Sequence, residues 1–136
     1  MRQRGLPQPL QLVLISPVLD VSKANPAIAS IARYDRVLSV EGSTIGGRLY
    51  AGERGRKDPL VSPLYADLTG LAPTAVFTGT HDIHNPDARD FAARARDAGV
   101  ALEYHEEPGN QHAYALLPTS EGAAARNLIT ALVANR

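Results

Sequence analysis

Hydrophobic and polar positions alternate along the chain in blocks that predict strands separated by helices. Residues 10–15 and 74–78 are short apolar runs bounded by proline, serine or glycine, a pattern typical of strands covered on both faces of a parallel sheet. Residues 100–106 alternate apolar and charged positions, which predicts a half-covered strand nearer the sheet edge. The pattern therefore predicts an α/β protein with about three parallel strands.

A helix is predicted after the second strand. Asn85, Pro86 and Asp87 resemble an N-cap, a first-turn proline and an acid that favours a helix N-terminus. Alanine and phenylalanine then recur at helical spacing until Gly99, which provides a stop. A last helix is predicted from Thr119 or Ser120 onward, with a buried stripe made of Leu128, Ile129, Leu132 and Val133.

The connection between the first two predicted strands is long. Within it, residues 40–50 favour a helix that Ser39 could cap, although Gly46 and Gly47 weaken it. A connection of this length inside a compact α/β unit is typical of an inserted segment. Residues 21–57 are therefore predicted to form a lid-like insertion.

Composition narrows the function classes. The chain has 136 residues, enough for one domain, with 14 basic and 14 acidic side chains. A net charge of zero argues against nucleic-acid and anionic-membrane partners, and the absence of cysteine excludes disulfides, cysteine-bound zinc and thiol catalysis. Residues 1–5 carry charge without a following apolar segment, and no run is long enough to cross a membrane. A cytoplasmic protein is expected.

Two loops carry candidate chemistry. Asp82 lies in residues 79–85, directly after the second predicted strand, and His112 lies in residues 108–114, after the third. Parallel strands bring such loops to the same rim of a sheet. A carboxylate there could orient an imidazole and leave its other nitrogen free as a base. On the residues alone, Asp82 as a turn acid and His112 as an ordinary loop histidine remain open.

Several motifs, taken in series, resemble one known family. They are Leu-Ile-Ser-Pro-Val-Leu-Asp at 14–20, Arg-Leu-Tyr-Ala-Gly at 48–52, Asp-Pro-Leu-Val-Ser-Pro-Leu at 58–64, Gly-Thr-His-Asp at 79–82 and Gly-Asn-Gln-His-Ala-Tyr at 109–114. In this order and at this spacing they resemble the hormone-sensitive-lipase-like esterases of the α/β-hydrolase superfamily, over essentially the whole chain.

The resemblance implies a function and roles for the two loop residues. It implies hydrolysis of small carboxylic esters, with short acyl chains, by a Ser-His-Asp mechanism that needs no cofactor or metal. Asp82 would be the acid of the triad and His112 its base. Tyr114 and residues 37–50 would line the acyl pocket.

The family's remaining machinery is absent from the sequence. No G-x-S-x-G motif and no His-Gly-Gly oxyanion loop occurs. In the family both precede the strand at residues 10–15, and residues 2–7 resemble the tail of the helix after the nucleophile. The chain thus resembles the C-terminal part of an α/β-hydrolase and is expected to be inactive alone. If the chain did carry its own nucleophile, Ser16 would be the first candidate.

A non-catalytic role is the alternative. The chain would then be a truncated hydrolase module or subunit that binds a partner, either a second copy or a complementing N-terminal fragment. The strand at residues 10–15 would expose an edge that the missing half normally covers, and open apolar edges recruit partners.

A metal site is a rival interpretation of the same loops. His81, Asp82 and His84, together with His112, offer zinc-type ligands. No H-E-x-x-H helix accompanies them, and Pro86 starts a helix directly afterwards, so no metal is expected. His81 and His84 could line the substrate site, but a surface position is favoured.

Three other polar residues have simpler explanations. Asp87 rivals Asp82 as the acid, but a position in the first turn of a helix explains it. Asp58 resembles a family residue and fits equally well as a turn acid before proline. His105 lies on the charged side of the third predicted strand and is expected to face solvent.

Overall fold

The computed structural model describes residues 5–134. Its sheet has three strands in the order β1 (Leu12–Ile15), β2 (Thr74–Gly79) and β3 (Leu102–Glu107). Both pairs are parallel, and Thr74 lies opposite Leu12 on one side and Leu102 on the other. The predicted parallel α/β sheet is confirmed.

Residues 5–134 also form four α-helices. The β1–β2 connection carries α1 and α2, α3 joins β2 to β3, and α4 follows β3; their bounds are Ile28–Ile31, Val40–Ala51, Asn85–Asp97 and Ser120–Ala134. Short 3-10 turns occupy Pro63–Tyr65 and Tyr114–Leu116. Within residues 5–134, none of the helices combines the length and the apolar character needed to cross a bilayer.

β2 is the centre of the core. All six of its residues are buried, and successive side chains point to opposite faces because a strand repeats every two residues. Val76 packs in a cluster with Phe91 of α3, whereas Ala75 and Phe77 pack in a cluster with Ala125 of α4. A helix therefore covers each face of the sheet.

β1 is less covered than its apolar sequence predicts. Each of its four residues is only partly buried, and Leu10, two residues before the strand begins at Leu12, is 74% exposed. β1 lies at the edge of the sheet, so no strand among the described residues pairs with its outer side. The expectation of full coverage on both faces was wrong for this strand.

The predicted helix boundaries are mostly confirmed. The Ser39 side chain caps α2 by accepting a hydrogen bond from the Gly42 amide at 3.0 Å. Gly99, with a φ of +73°, follows α3 in the left-handed conformation that favours glycine. Asn85 is not the N-cap of α3; that position is His84, and the Asn85 side chain donates instead to Glu106 Oε2 at 2.9 Å.

The buried face of α4 differs from the predicted stripe. Ile129 and Leu132 pack against the core, but Leu128 and Val133 are 48% and 62% exposed. At Gly122, α4 packs tightly against the preceding turn. A Cβ atom at this position would collide with the backbone carbonyls of Leu117 and Tyr114.

Residues 21–57 contain α1 and α2, and α2 corresponds to the helix predicted at residues 40–50. Val21 and Ala51 of this segment form a small apolar cluster with Val61, which follows it. The predicted helix tail at residues 2–7 falls partly outside the described residues, and residues 5–7 are not helical.

Candidate active site

The loops after β2 and β3 are held together by their backbones. The Thr80 amide donates to the Glu107 carbonyl at 3.1 Å, and the His81 amide donates to the Asn110 carbonyl at 3.0 Å. A Cβ atom at Gly79 would collide with that same Asn110 carbonyl. Only glycine allows this approach, which brings both loops to the carboxyl end of the sheet.

This approach places Asp82 beside His112. His112 Nδ1 donates to Asp82 Oδ2 at 3.1 Å, within the distance expected for an acid–base pair. The Asp82 side chain is completely buried, whereas that of His112 is 24% exposed. Asp82 Oδ1 accepts a second hydrogen bond from the His84 amide at 2.9 Å. The carboxylate is therefore fixed and the imidazole remains accessible.

The hydrogen bond between Asp82 and His112 stabilises the ionised carboxylate and the protonated imidazole. The hydrogen bond to Asp82 raises the pKa of His112 above its usual value, against the opposing effect of burial. Burial alone would raise the pKa of Asp82, but hydrogen bonds from His112 and the His84 amide outweigh it and lower the pKa. An imidazolium facing an ionised carboxylate is the charge state that a histidine base reaches after taking a proton.

Ser16 supports this pair from the end of β1. It is a buried non-glycine residue with a φ of +44°, and its Oγ accepts a hydrogen bond from the Ala113 amide at 2.8 Å. The Ser16 side chain also lowers the pKa of Asp82 further. Ser16 thus lies on the acid side of the pair, hydrogen-bonded to the left-handed Ala113.

A pocket of about 490 Å³ opens beside His112. One wall is α2, which contributes Ser43, Gly46, Gly47 and Tyr50, and Leu38 precedes this helix. Most of the remaining wall is aliphatic, so the cavity suits apolar groups. The prediction for residues 37–50 agrees with this, but Tyr114 does not line the pocket, because it packs in the core with Phe77.

His84 lines the same pocket, contrary to its expected surface position. It is 3% exposed, and its ring packs edge-on against that of His112, with centroids 5.4 Å apart. Lys23 Nζ donates to His84 Nδ1 at 2.8 Å. Burial, with Lys23 nearby, lowers the pKa of His84 to about 4, so its ring is neutral near pH 7. His81 instead stacks on Tyr34 at 4.9 Å.

Asp82, His84 and His112 could together hold a metal ion, because one ligand atom from each lies within 4.8 Å of the others. His81 does not join this group. The Nδ1 atoms of His84 and His112 are already engaged by Lys23 and Asp82. The absence of a metal stays a prediction of the sequence.

The structure separates the other acidic and histidine candidates from His112. Asp87 is completely buried, and neither of its carboxylate oxygens has a hydrogen-bond partner among residues 5–134. Asp58 accepts from the Leu60 amide at 2.8 Å and pairs with Arg54 on the surface, as a turn acid does. His105 stacks on Phe77 at 4.5 Å and its side chain is 31% exposed, so it faces solvent only in part.

Comparison with known proteins identifies the family. The profile of the alpha/beta hydrolase fold family matches residues 1–116. An esterase of Acinetobacter venetianus is 32% identical over 105 residues. Two crystal structures superpose well: a hormone-sensitive lipase from a metagenome library, at 31% identity and a TM-score of 0.85, and esterase E25, at 30% identity and a TM-score of 0.90.

These relatives are longer than the chain. The match covers 76% of the chain but only 35% of the Acinetobacter esterase. The two structural matches cover 93% and 96% of the chain but 43% and 41% of the lipase and of esterase E25. The chain therefore belongs to the α/β-hydrolase fold family, among its hormone-sensitive-lipase-like esterases.

Proposed function

We propose that this chain supplies the acid and the base of a carboxylic-ester hydrolase that acts by a Ser-His-Asp mechanism. The observation that carries the proposal is the 3.1 Å hydrogen bond between Asp82 and His112 at the wall of an apolar pocket. The names of the relatives, esterase and hormone-sensitive lipase, support a hydrolase of this class.

Each member of the pair has a defined task in this mechanism. With Nδ1 bound to Asp82, the Nε2 atom of His112 is the nitrogen left to take a proton from a serine hydroxyl. The resulting imidazolium is stabilised by the buried carboxylate and then gives its proton to the leaving alcohol. Asp82 orients the ring throughout and stays ionised.

The pocket defines the substrate class. Its volume of about 490 Å³ and mainly aliphatic wall suit a small ester with a short acyl chain. In this proposal residues 21–57 act as a lid, because α2 forms one side of the pocket.

In this mechanism the nucleophilic serine comes from a segment outside this chain. The sequence contains no G-x-S-x-G, and Ser16 is occupied with Ala113 and Asp82. The donors of an oxyanion hole would come from the same missing part. We therefore infer that the chain works next to a segment that carries the nucleophile.

Complementation tests this function. The part of the Acinetobacter venetianus esterase that precedes its match to this chain would be co-expressed with the chain and assayed with p-nitrophenyl butyrate. We expect saturable turnover from the mixture and none from either part alone. His112→Ala should abolish that turnover, because the serine loses its base, whereas His105→Ala on β3 should retain it.

A co-purified but inactive complex would contradict the proposal. That result would favour the alternative, a non-catalytic module that binds a partner through the open edge of β1. Turnover that persists in the His112→Ala complex would equally show that the base has been wrongly assigned.

A further inference from the structure

Lys23 has no task in the proposed ester chemistry, yet it lies in the wall of the pocket with His84 and His112. Its backbone has a φ of +54°, a conformation that is unfavourable for a residue with a side chain. The Asp20 carboxylate holds it by accepting hydrogen bonds from the amides of Ser22 at 2.7 Å and Ala24 at 3.4 Å. The fold thus directs this lysine into the pocket.

The contacts of the amine leave it available for reaction. Its hydrogen bond within the described part of the chain goes to His84 Nδ1, at 2.8 Å. His84 is neutral, so it accepts an N–H of Lys23, and this bond does not use the lone pair of the amine. Both the neutral and the protonated amine can keep this contact.

Burial also makes it easier for this amine to lose its proton. Burial lowers the pKa of Lys23, although the carboxylates of Asp87, Asp20 and Asp82 act in the opposite direction. His84 and His112 are the other titratable groups that face this region. A neutral lysine in an apolar pocket is a nucleophile.

We propose that Lys23 is an acylation site, and that the pocket presents activated esters, such as aryl esters or thioesters, to its amine. The nitrogen lone pair attacks the acyl carbon and forms a C–N bond. The bond from that carbon to oxygen or sulfur breaks, and the leaving group departs with one proton from the amine. The products are an amide at Lys23 and a free phenol or thiol.

This reaction differs from the proposed hydrolysis. An amide is not released by water at a useful rate, so each chain reacts once. The acyl group remains attached to Lys23 in the wall of the pocket. The inference rests on the same pocket as the proposed function but needs neither the serine nor the Asp82–His112 pair.

Peptide mass mapping after brief exposure to p-nitrophenyl butyrate tests the proposal. The chain contains only two lysines, Lys23 and Lys57, so Lys57 is an internal control. We expect Lys23 to be butyrylated about tenfold faster, a small part of the advantage that bound reactants can have. Excess butyrate should slow the reaction at Lys23 and leave Lys57 unchanged. In urea the two rates should become equal.

Variants separate the proposal from general lysine reactivity. Lys23→Arg keeps the positive charge and should remove the fast site without altering the rate at Lys57. Lys57→Arg should leave the fast site intact. Equal rates at the two lysines in the folded chain, or no protection by butyrate, would overturn the proposal. Either result leaves the complementation test of ester hydrolysis unaffected.

Discussion

Asp82 and His112 are 30 residues apart in sequence and meet through a single hydrogen bond at 3.1 Å. Asp87, five residues further along the chain and in the first turn of α3, is just as deeply buried but has no such partner. Asn25 has only a small effect on the pKa of Asp87, and its amide donates to Asp90 Oδ2 at 2.9 Å. At the scale of residues, a buried carboxylate is therefore stabilised or destabilised by its immediate neighbours.

The first prediction concerns the titration of His112. Its pKa, measured by NMR, should lie above 6.5, and Asp82→Asn should lower it because the stabilising carboxylate is lost. Since the folded-state pKa is raised, the pair stabilises the fold below the unfolded-state pKa. This contribution disappears as the pH rises through the folded-state pKa. Asp90→Asn, an exposed acid, is the matched control, and an unchanged His112 titration in Asp82→Asn would contradict the assignment.

The second prediction concerns Asp87. Burial raises its pKa from 3.8 to about 6, so the folded state holds a proton that the unfolded state has released between these values. The free energy of unfolding should therefore fall from about pH 4 to pH 6, by about 3 kcal/mol. Asp87→Asn should remove this fall and stabilise the chain at pH 8. Urea unfolding at several pH values measures the free energy of unfolding of both proteins. An Asp87→Asn variant less stable than the unmodified chain at pH 8 would contradict the assigned effect of Asp87.

At the scale of elements, one glycine controls how the loops after β2 and β3 approach each other. Gly79 ends β2 and lies directly against the backbone of Asn110. α2 and the loop after β1 then close the pocket from the other side. The site is thus built from the ends of all three strands together with one helix.

The third prediction is that Gly79→Ala separates these two loops. The added Cβ would displace the Asn110 carbonyl and destabilise the fold by about 1–3 kcal/mol. The Asp82–His112 hydrogen bond should weaken, so the pKa of His112 should fall. Gly55→Ala is the matched control, because nothing lies within 4 Å of its added Cβ. Equal stability of the two variants would contradict the close approach.

At the scale of the whole molecule, one edge of the sheet is uncovered. β1 has only partly buried side chains and no neighbouring strand on its outer side among the described residues. Exposed strand edges with apolar side chains promote association. The relatives are more than twice as long as the stretch matched here.

The fourth prediction follows from this edge. The isolated chain should form dimers or larger species in a concentration-dependent manner, as measured by light scattering after gel filtration. Leu49→Glu, on the exposed surface of α2, should not change this association, because α2 is distant from β1 in the chain and is not part of the sheet. A sharp monomer peak at high concentration would contradict the prediction.

The fifth prediction is that the isolated chain does not turn over esters. In serine hydrolases the activity left after loss of a triad member is roughly 10³–10⁴-fold over water, and it depends on the oxyanion hole and on binding. The sequence contains no oxyanion loop of the His-Gly-Gly type. Release of p-nitrophenol should therefore show no saturable, multiple turnover. Saturable turnover abolished by His112→Ala would show that a serine of this chain is the nucleophile.

Local patterns determine much of this protein. The apolar runs, the Ser39 cap, Gly99 after α3 and the parallel arrangement follow from side-chain periodicity and from the limits on each residue's backbone. The two candidate residues also follow from local position, because the loops after parallel strands meet at one rim. Their catalytic role comes from family resemblance and stays a prediction.

Tertiary structure alone decides which side chains are buried and what they face. His84 and Asp87 occupy loop and helix positions that are exposed in many proteins, but here neighbouring elements cover them. The Lys23–His84 contact joins residues 61 positions apart, and no local pattern encodes it. The periodicity of the sequence shows whether a residue lies in a helix or a strand. Its burial and its charge state depend on the other elements that pack around it.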